Sequence, residues 1–447
     1  MTTETTFALR NARAPSALIA DSGAGLEVDA EGLAKVDISI AEGRISAIRR
    51  PAGNVEPGDR DLDGGQVWPC FADIHTHLDI GHIWTRAPNA DGSFRTAAKA
   101  VADDRDANWS ADDLRARMEF GLRCAYAHGT RAIRTHLQSA PGQAATTWGV
   151  FRELREEWRG RIDLQGVNLL RVEDYRDGKS DAIVDLVGKS GGLVGAVIFM
   201  VPDIDDILDD IFRLASERSL DLDLHVDESL DLRDRTLRHV AEAARRNRFA
   251  GRIQCGHCCS LAVQPEDDAD RTLDLVAEAG ISVVSLPMCN VYLMDREADR
   301  TPRRRGVTLV REMAARGIEV SFASDNCRDP FYGYGDHDML EVFAQAARIA
   351  HIDLPMGDWP RSVTATPAGV MGLDGPGTIG VGAPADLVLF AGRGYSELLS
   401  RPQADRTVLR GGEPIDTTPP DYRELDGLFG ISGQAGRRDS QAAELPR

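Results

Sequence analysis

Eight short apolar runs recur through the middle of the chain, at 67–74, 129–135, 162–170, 193–199, 220–225, 252–255, 281–285 and 318–323. Between them apolar residues return at spacings of three and four, which predicts helices over 112–127, 150–158, 204–217, 236–246, 271–279 and 309–316. A strand-then-helix rhythm of this length predicts an α/β fold, a closed, TIM-like (β/α)8 barrel. An open doubly wound sheet is the rival, but the Gly-rich first turn of dinucleotide-binding folds does not occur here. The two ends have another texture. Runs at 7–12, 36–40 and 45–48, with Glu42-Gly43 as a turn, match runs at 386–390 and 407–410 in being short and β-rich. Neither end carries enough apolar residues for its own core, so the two are expected to pack together as a small β-sandwich domain.

The expected division is therefore a composite β domain from 1–65 and 375–416, a barrel at 66–374 and a C-terminal tail at 417–447. In the tail, Leu425, Leu428 and Phe429 are the anchors on offer. The connection at 78–111 exceeds the ~15 residues usual for a loop without function, and it starts beside a candidate site, so it reads as a lid or pocket wall.

Charge narrows the function classes. Asp and Glu number 71 against 52 Lys and Arg, a formal net charge of -19, which argues against a nonspecific nucleic-acid binder. The 7 cysteines are odd in number and scattered, so a reducing compartment suits them better than a disulfide framework. No run of about 18 apolar residues is present to span a membrane, and Met1-Thr2-Thr3-Glu4 has no basic or apolar export signal. A cytoplasmic protein is expected. Its Leu- and Ala-rich helical faces would cover either the barrel or a second subunit, which leaves a homo-oligomer open.

The chemistry is concentrated at the ends of the predicted strands. His75 and His77 lie two apart at the end of the first, so both imidazoles face one way. His225 ends the alternating run Leu220-Asp221-Leu222-Asp223-Leu224-His225, with Glu228 in the adjoining turn; His257 and Asp325 close two later strands. In a barrel such ends converge on one mouth. Three imidazole nitrogens and a carboxylate suit one divalent metal ion, zinc or iron, which would acidify a bound water. Glu228, next to the metal but off it, reads as a proton shuttle. Spacing alone does not separate His257 as a ligand from His257 as a catalyst. His136 on the second strand and His82 after the first face the same mouth, Arg171 ends the third strand, and Phe331 with Tyr332 could stack on a flat ring. Pro287-Met288-Cys289-Asn290 reads as a turn that forms pocket wall.

These motifs are carried in a recognisable order. Asp73-Ile74-His75-Thr76-His77-Leu78-Asp79, His225-Val226-Asp227-Glu228, Gly256-His257 and Ser324-Asp325-Asn326 with Asp329-Pro330-Phe331-Tyr332 resemble the metal-dependent amidohydrolase superfamily, and within it the bacterial cytosine deaminase-like branch, over residues 5–412. The resemblance implies one catalytic metal held by His75, His77, His225 and Asp325. It makes His257 a catalytic histidine that positions the attacking hydroxide, Glu228 the group that protonates the ring nitrogen, and Asp325 a carrier of a proton from water toward departing ammonia. No lysine ends the fourth strand, where Ala196-Val197-Ile198-Phe199-Met200 stands, which favours a mononuclear site. Arg171 stands where such deaminases place a glutamine, and Asn326 where a second aspartate is expected, and both changes bear on which ring is bound.

The expected function is hydrolytic deamination of a small nitrogen heterocycle with release of ammonia. Cytosine or a modified pyrimidine leads, and an amino-triazine, isocytosine or creatinine-like ring comes next. The catalytic groups are Glu228, His257 and Asp325, and the substrate contacts Arg171, Asn326, Phe331, His136 and His82. Ring-opening hydrolysis of a cyclic amide is the alternative reaction, and a non-catalytic metal-containing binding protein the alternative class.

Overall fold

The computed structural model describes residues 6–20, 25–178, 180–375 and 377–431, so the expected tail beyond 431 lies outside the described residues. The N-terminal strands are β1 (Thr6–Pro15), β2 (Leu33–Ala41), β3 (Arg44–Arg49), β4 (Arg60–Asp61) and β5 (Gln66–Pro69). Then come β6 (Phe71–Thr76), β7 (Thr130–Gln138), β8 (Asp163–Leu169), β9 (Val194–Ile198), β10 (Leu222–Val226), β11 (Ile253–His257), β12 (Ser282–Ser285) and β13 (Val320–Phe322), with helical segments between them. The last strands are β14 (Leu387–Phe390), β15 (Thr407–Arg410) and β16 (Glu413–Pro414).

The fold is mixed α/β. Strands β6-β7-β8 pair in parallel, as do β9 through β13. Bridges Val167–Leu193 and Arg171–Val197 join β8 to β9, and Thr76–Asp325 joins the end of β13 to β6. The parallel pairing thus returns to its starting strand, and the last of these bridges sits at the site. The helices behind the strands earn their place by their apolar stripes. In Ile204–Glu217, Ile204, Ile207, Leu208, Ile211, Phe212 and Ala215 are all buried, while Asp205, Asp206 and Asp209 face outward.

Both chain ends enter one hydrogen-bonded sheet, in the order β16-β15-β14-β5-β1-β2-β3, with β4 on β1. The β2–β3 hairpin turns at Glu42 and Gly43, both at positive φ (52° and 73°), the backbone that a two-residue hairpin loop asks for.

Three sequence expectations change. The run 67–74 is not one strand: β5 pairs with β14 and β1 in the end-derived sheet, and β6 starts the parallel series after Cys70. Both pieces are buried throughout, so no alternation of polar and apolar positions marks the handover. Trp68 spans the junction, with ring centroids 6.2 Å from Phe71 and 5.5 Å from Phe343. The 78–111 connection contains a helix, Phe94–Asn108, capped by the Ser93 side chain. Only Ala97, Val101 and Asp104 of that helix are buried, too thin a stripe for periodicity to show. Residues 287–290 begin a helix, Pro287–Leu293, where a turn was expected.

The connection after β6 is held by buried charge. Arg117 is fully buried and donates to the backbone carbonyls of Asp79 and Gly81, the latter at 3.1 Å. It also reaches Asp113 at 2.9 and 2.8 Å, and Asp113 shares Arg86 with Asp104. Two guanidinium groups and two carboxylates balance, which makes their burial tolerable. Arg117→Met leaves the Asp79 and Gly81 carbonyls without this donor in a dry place and leaves Arg86 alone to balance Asp104 and Asp113. We expect it to lower the free energy of unfolding by about 3–5 kcal/mol in urea titrations; a loss below about 1 kcal/mol would refute this anchoring role.

Candidate active site

Along β10 the side chains of Leu222, Leu224 and Val226 pack into the hydrophobic core, so alternation sends Asp223 and His225 to the opposite face. The same logic aims His75 inward from β6, and His77 follows one residue beyond that strand. These imidazoles meet. His225 Nε2 lies 3.2 Å from both His75 Nε2 and His77 Nε2, and Asp325 Oδ1 lies 3.6 and 3.3 Å from the same two nitrogens. All four residues are at least nine-tenths buried.

One imidazole nitrogen carries either one hydrogen or one lone pair, so His225 Nε2 satisfies at most one of its two contacts as a good hydrogen bond. Both Asp325 carboxylate oxygens and His257 Nε2 are buried without a hydrogen-bond partner. Burial holds His75 and His225 well below the usual imidazole range, with neighbouring histidines adding to it. Against the same burial, the ion pair with His77 and the His257 charge hold Asp325 below the usual carboxylate range, and Asp325 in turn raises His77. His75 and His225 are thus neutral, as a divalent ion requires, and an ion bound there would take the place of the His77 proton; the residues present fit one.

Beneath this cluster lies a polar layer that the sequence did not announce. Asp223 is fully buried and accepts from Arg134 at 2.8 Å and Gln254 at 2.9 Å, with His136 Nε2 at 3.2 Å from its other oxygen. The His136 ring then packs on His75 at 4.0 Å between centroids and on His225 at 4.6 Å. Asp223 was legible as an inward position of an alternating strand, but its partners come from two other strands.

Glu228 projects over the cluster, with its side chain 7% exposed and Oε1 3.4 Å from His257 Nδ1. Burial, then the Asp325 charge, raises its pKa well above the carboxylate range. Burial drops His257 to about 4. Asn290 contacts both groups, His257 Nδ1 at 3.0 Å and Glu228 Oε1 at 3.5 Å. It is the residue that reading 287–290 as mere wall missed. Asp227 locks the Glu228 turn by accepting from the Thr236 amide (2.8 Å), the Thr236 hydroxyl (2.6 Å) and the Leu237 amide (3.0 Å). Asp227, His257, Cys258 and Asp325 all hold positive φ (50°, 68°, 51° and 61°), so backbone strain is gathered at these strand ends.

A cavity of about 300 Å³ opens onto His77, His225, Glu228, His257 and Asp325. Phe94, Phe199 and Phe331 supply aromatic wall, and Arg105, Gln138, Arg171 and Asn326 supply polar groups. The Arg171 side chain is 68% exposed at the rim, where Glu173 meets it at 3.3 Å. Asn326 donates to Asp329 at 2.8 Å, and Asp329 in turn accepts from the Phe331 amide at 2.8 Å, which sets the Phe331 turn. The inserted helix Phe94–Asn108 contributes Phe94 and Arg105, so the 78–111 connection does form pocket wall. Two expectations miss the cavity. His136 sits below the imidazole cluster. His82 lies behind the first strand, 4.8 Å from the Phe120 ring, and is not among the lining residues.

A family model for the amidohydrolases matches residues 176–416. Over 427 residues the chain is 52% identical to the pterin deaminase of Rhizobium rhizogenes, covering 95% of this chain and 97% of that one. It is 24% identical over 368 residues to the N-isopropylammelide isopropyl amidohydrolase of Pseudomonas sp., covering 79% of this chain and 87% of that one. The solved structure of 5-methylcytosine deaminase from Klebsiella pneumoniae liganded with phosphonocytosine shares the fold, with a TM-score of 0.77 at 24% identity over 92% of this chain and 97% of that one. The chain belongs to the amidohydrolase family, within the metal-dependent superfamily that its strand-end motifs resemble.

Proposed function

We propose that this protein hydrolytically removes the exocyclic amine of a pterin, a fused bicyclic amino-oxo ring, in place of the cytosine expected from sequence. The observation that carries this reading is the 52% identity to a pterin deaminase along nearly its whole length. The cavity agrees with it: about 300 Å³ lies at the lower end of the ~300–1,000 Å³ typical of small-molecule sites, with aromatic walls for a flat ring. In this reading the parallel run β6 to β13 is the catalytic (β/α)8 barrel, and the end-derived sheet, β5 included, is the small β domain.

His75, His77, His225 and Asp325 would hold one divalent ion, zinc or iron. When bound, such an ion supplies an acidified water and a positive field at the carbon under attack. The chain's own groups do the rest. Glu228, protonated by its burial, delivers a proton to the ring nitrogen beside the amine-bearing carbon as the water oxygen adds there. Asp325 takes one of the two water protons and passes it to the amine, the other returns to Glu228 as the C–N bond breaks, and ammonia leaves a ring that now carries a carbonyl. His257, held by Asn290, fixes the attacking oxygen. Phe331 covers the ring, while Arg171 and Asn326 meet its polar edge. His136, braced by Asp223, supports the ligand rings from below and does not touch substrate, and His82 has no part in binding it.

The decisive test is ammonia release from purified, metal-assayed enzyme across pterin, cytosine, isocytosine, creatinine and an amino-triazine, with product masses. Pterin should exceed cytosine in kcat/KM by about 100-fold or more, the scale on which a pocket discriminates rings through hydrogen bonds. Cytosine in the lead would overturn the substrate assignment, and a ring-opened acid without ammonia would overturn deamination. Glu228→Gln should keep its metal and lose about 10²–10⁴-fold in kcat; near-full turnover with metal bound would remove Glu228 from the proton path. Chelation should abolish ammonia release, and zinc or iron should restore it. Turnover that survives in metal-free protein would refute the metal's role.

A further inference from the structure

A second cluster of ligand-type side chains lies outside the cavity, behind β6. His82, Cys327 and His337 each place a ligand atom within 4.8 Å of the others, and their exposures are 3%, 1% and 2%. Both ring nitrogens of His82 and Nε2 of His337 are buried with no hydrogen-bond partner. Each neutral imidazole offers one lone pair, and leaving both of these in one dry place is costly unless something takes them.

The tautomer of His337 follows from its neighbour. Thr76 lies between His75 and His77 and points the other way, so its hydroxyl reaches this cluster. It donates to the Asp325 carbonyl at 2.8 Å, and toward His337 Nδ1, 3.5 Å away, it can only accept. His337 then carries its hydrogen on Nδ1 and leaves a bare lone pair on Nε2. The helix Ala111–Ala127 makes room for that atom with a glycine: a Cβ on Gly121 would stand 3.1 Å from His337 Nε2. Charge around the cluster is mixed: Arg328 and Arg117 lie near His82, and so does the Asp336 carboxylate. The Asp336 carboxylate is adjacent in sequence and bonded to His128 at 2.9 Å and Tyr422 at 2.7 Å, and the Tyr422 ring covers the His82 side of the cluster.

We propose that His82, Cys327 and His337 form a second metal site that holds a divalent ion of the zinc class. Two imidazoles and a thiolate are a donor set for such an ion. Binding releases the Cys327 thiol proton to solvent as the sulfur takes the ion. The site is structural: it ties the connection after β6, which carries His82, to the one after β13, which carries Cys327, Phe331 and His337. Through Thr76 it also steadies the strand that bears two of the first site's donors.

The test is metal stoichiometry and thiolate ligation. Protein loaded with cobalt(II) should bind two ions per chain and show a near-ultraviolet thiolate-to-cobalt charge-transfer band. Cys327→Ser should fall to one ion and lose the band, while Cys289→Ser, whose sulfur lies by Asn326 at the first site, should keep it. X-ray absorption on zinc-loaded wild-type protein needs no variant, and should find a sulfur neighbour at about 2.3 Å shared over two zinc ions, half a sulfur per zinc. One ion per chain without sulfur ligation overturns the proposal, and so does a band that survives Cys327→Ser. Pterin turnover decides neither outcome, so this site and the proposed reaction stand or fall separately.

Discussion

Four buried donor groups, three imidazoles and one carboxylate, set the terms for this molecule. His225 stands 3.2 Å from His75 and from His77, and Asp325 3.6 and 3.3 Å from the same two, at the buried floor of the cavity. Such an arrangement repels itself unless a proton or a metal ion sits in it, and it would relax if the backbone were free to move. Much of the surrounding structure keeps it from relaxing. The Thr76–Asp325 bridge ties the first strand's end to the last, the Arg134–Asp223 pair fixes the layer below, and His136 wedges between that layer and the imidazoles. Positive φ at His257 and Asp325 is part of the same cost, carried by a fold rigid enough to hold it.

The donors were legible because they sit where backbone periodicity is simple. Two histidines at i and i+2, or a histidine ending an alternating run, face a direction that the strand itself dictates. What supports them was not legible, because hydrogen-bond partners assemble from strands far apart in sequence. Asp223 could be read as inward, but its bonds to Arg134 and Gln254 span 89 and 31 residues. Asn290 escaped for a related reason: Pro287 looks like a turn former, yet at the first position of a helix its missing N–H costs nothing. The run at 67–74 failed as a single strand because a segment buried on both faces has no period to break. His82 was aimed at the wrong cavity because its sequence position after His77 gives proximity but not direction, and its φ of 66° turns it away from the mouth.

Strands and loops divide the labour at this site. The imidazole and carboxylate donors come from strand ends or the residues just beyond them, where strand pairing fixes the backbone. The walls that meet a ring come from elsewhere: Phe94 and Arg105 from the inserted helix, Arg171 from the turn after β8, Phe331 from the Asp329-set turn. Those segments are held by local devices, such as the Arg117 and Arg86 network and the Asn326–Asp329 bond, and not by strand pairing. They can change shape without disturbing the donor cluster. The cavity walls therefore lie in the parts of the chain that strand pairing constrains least, while the donors lie where it constrains most.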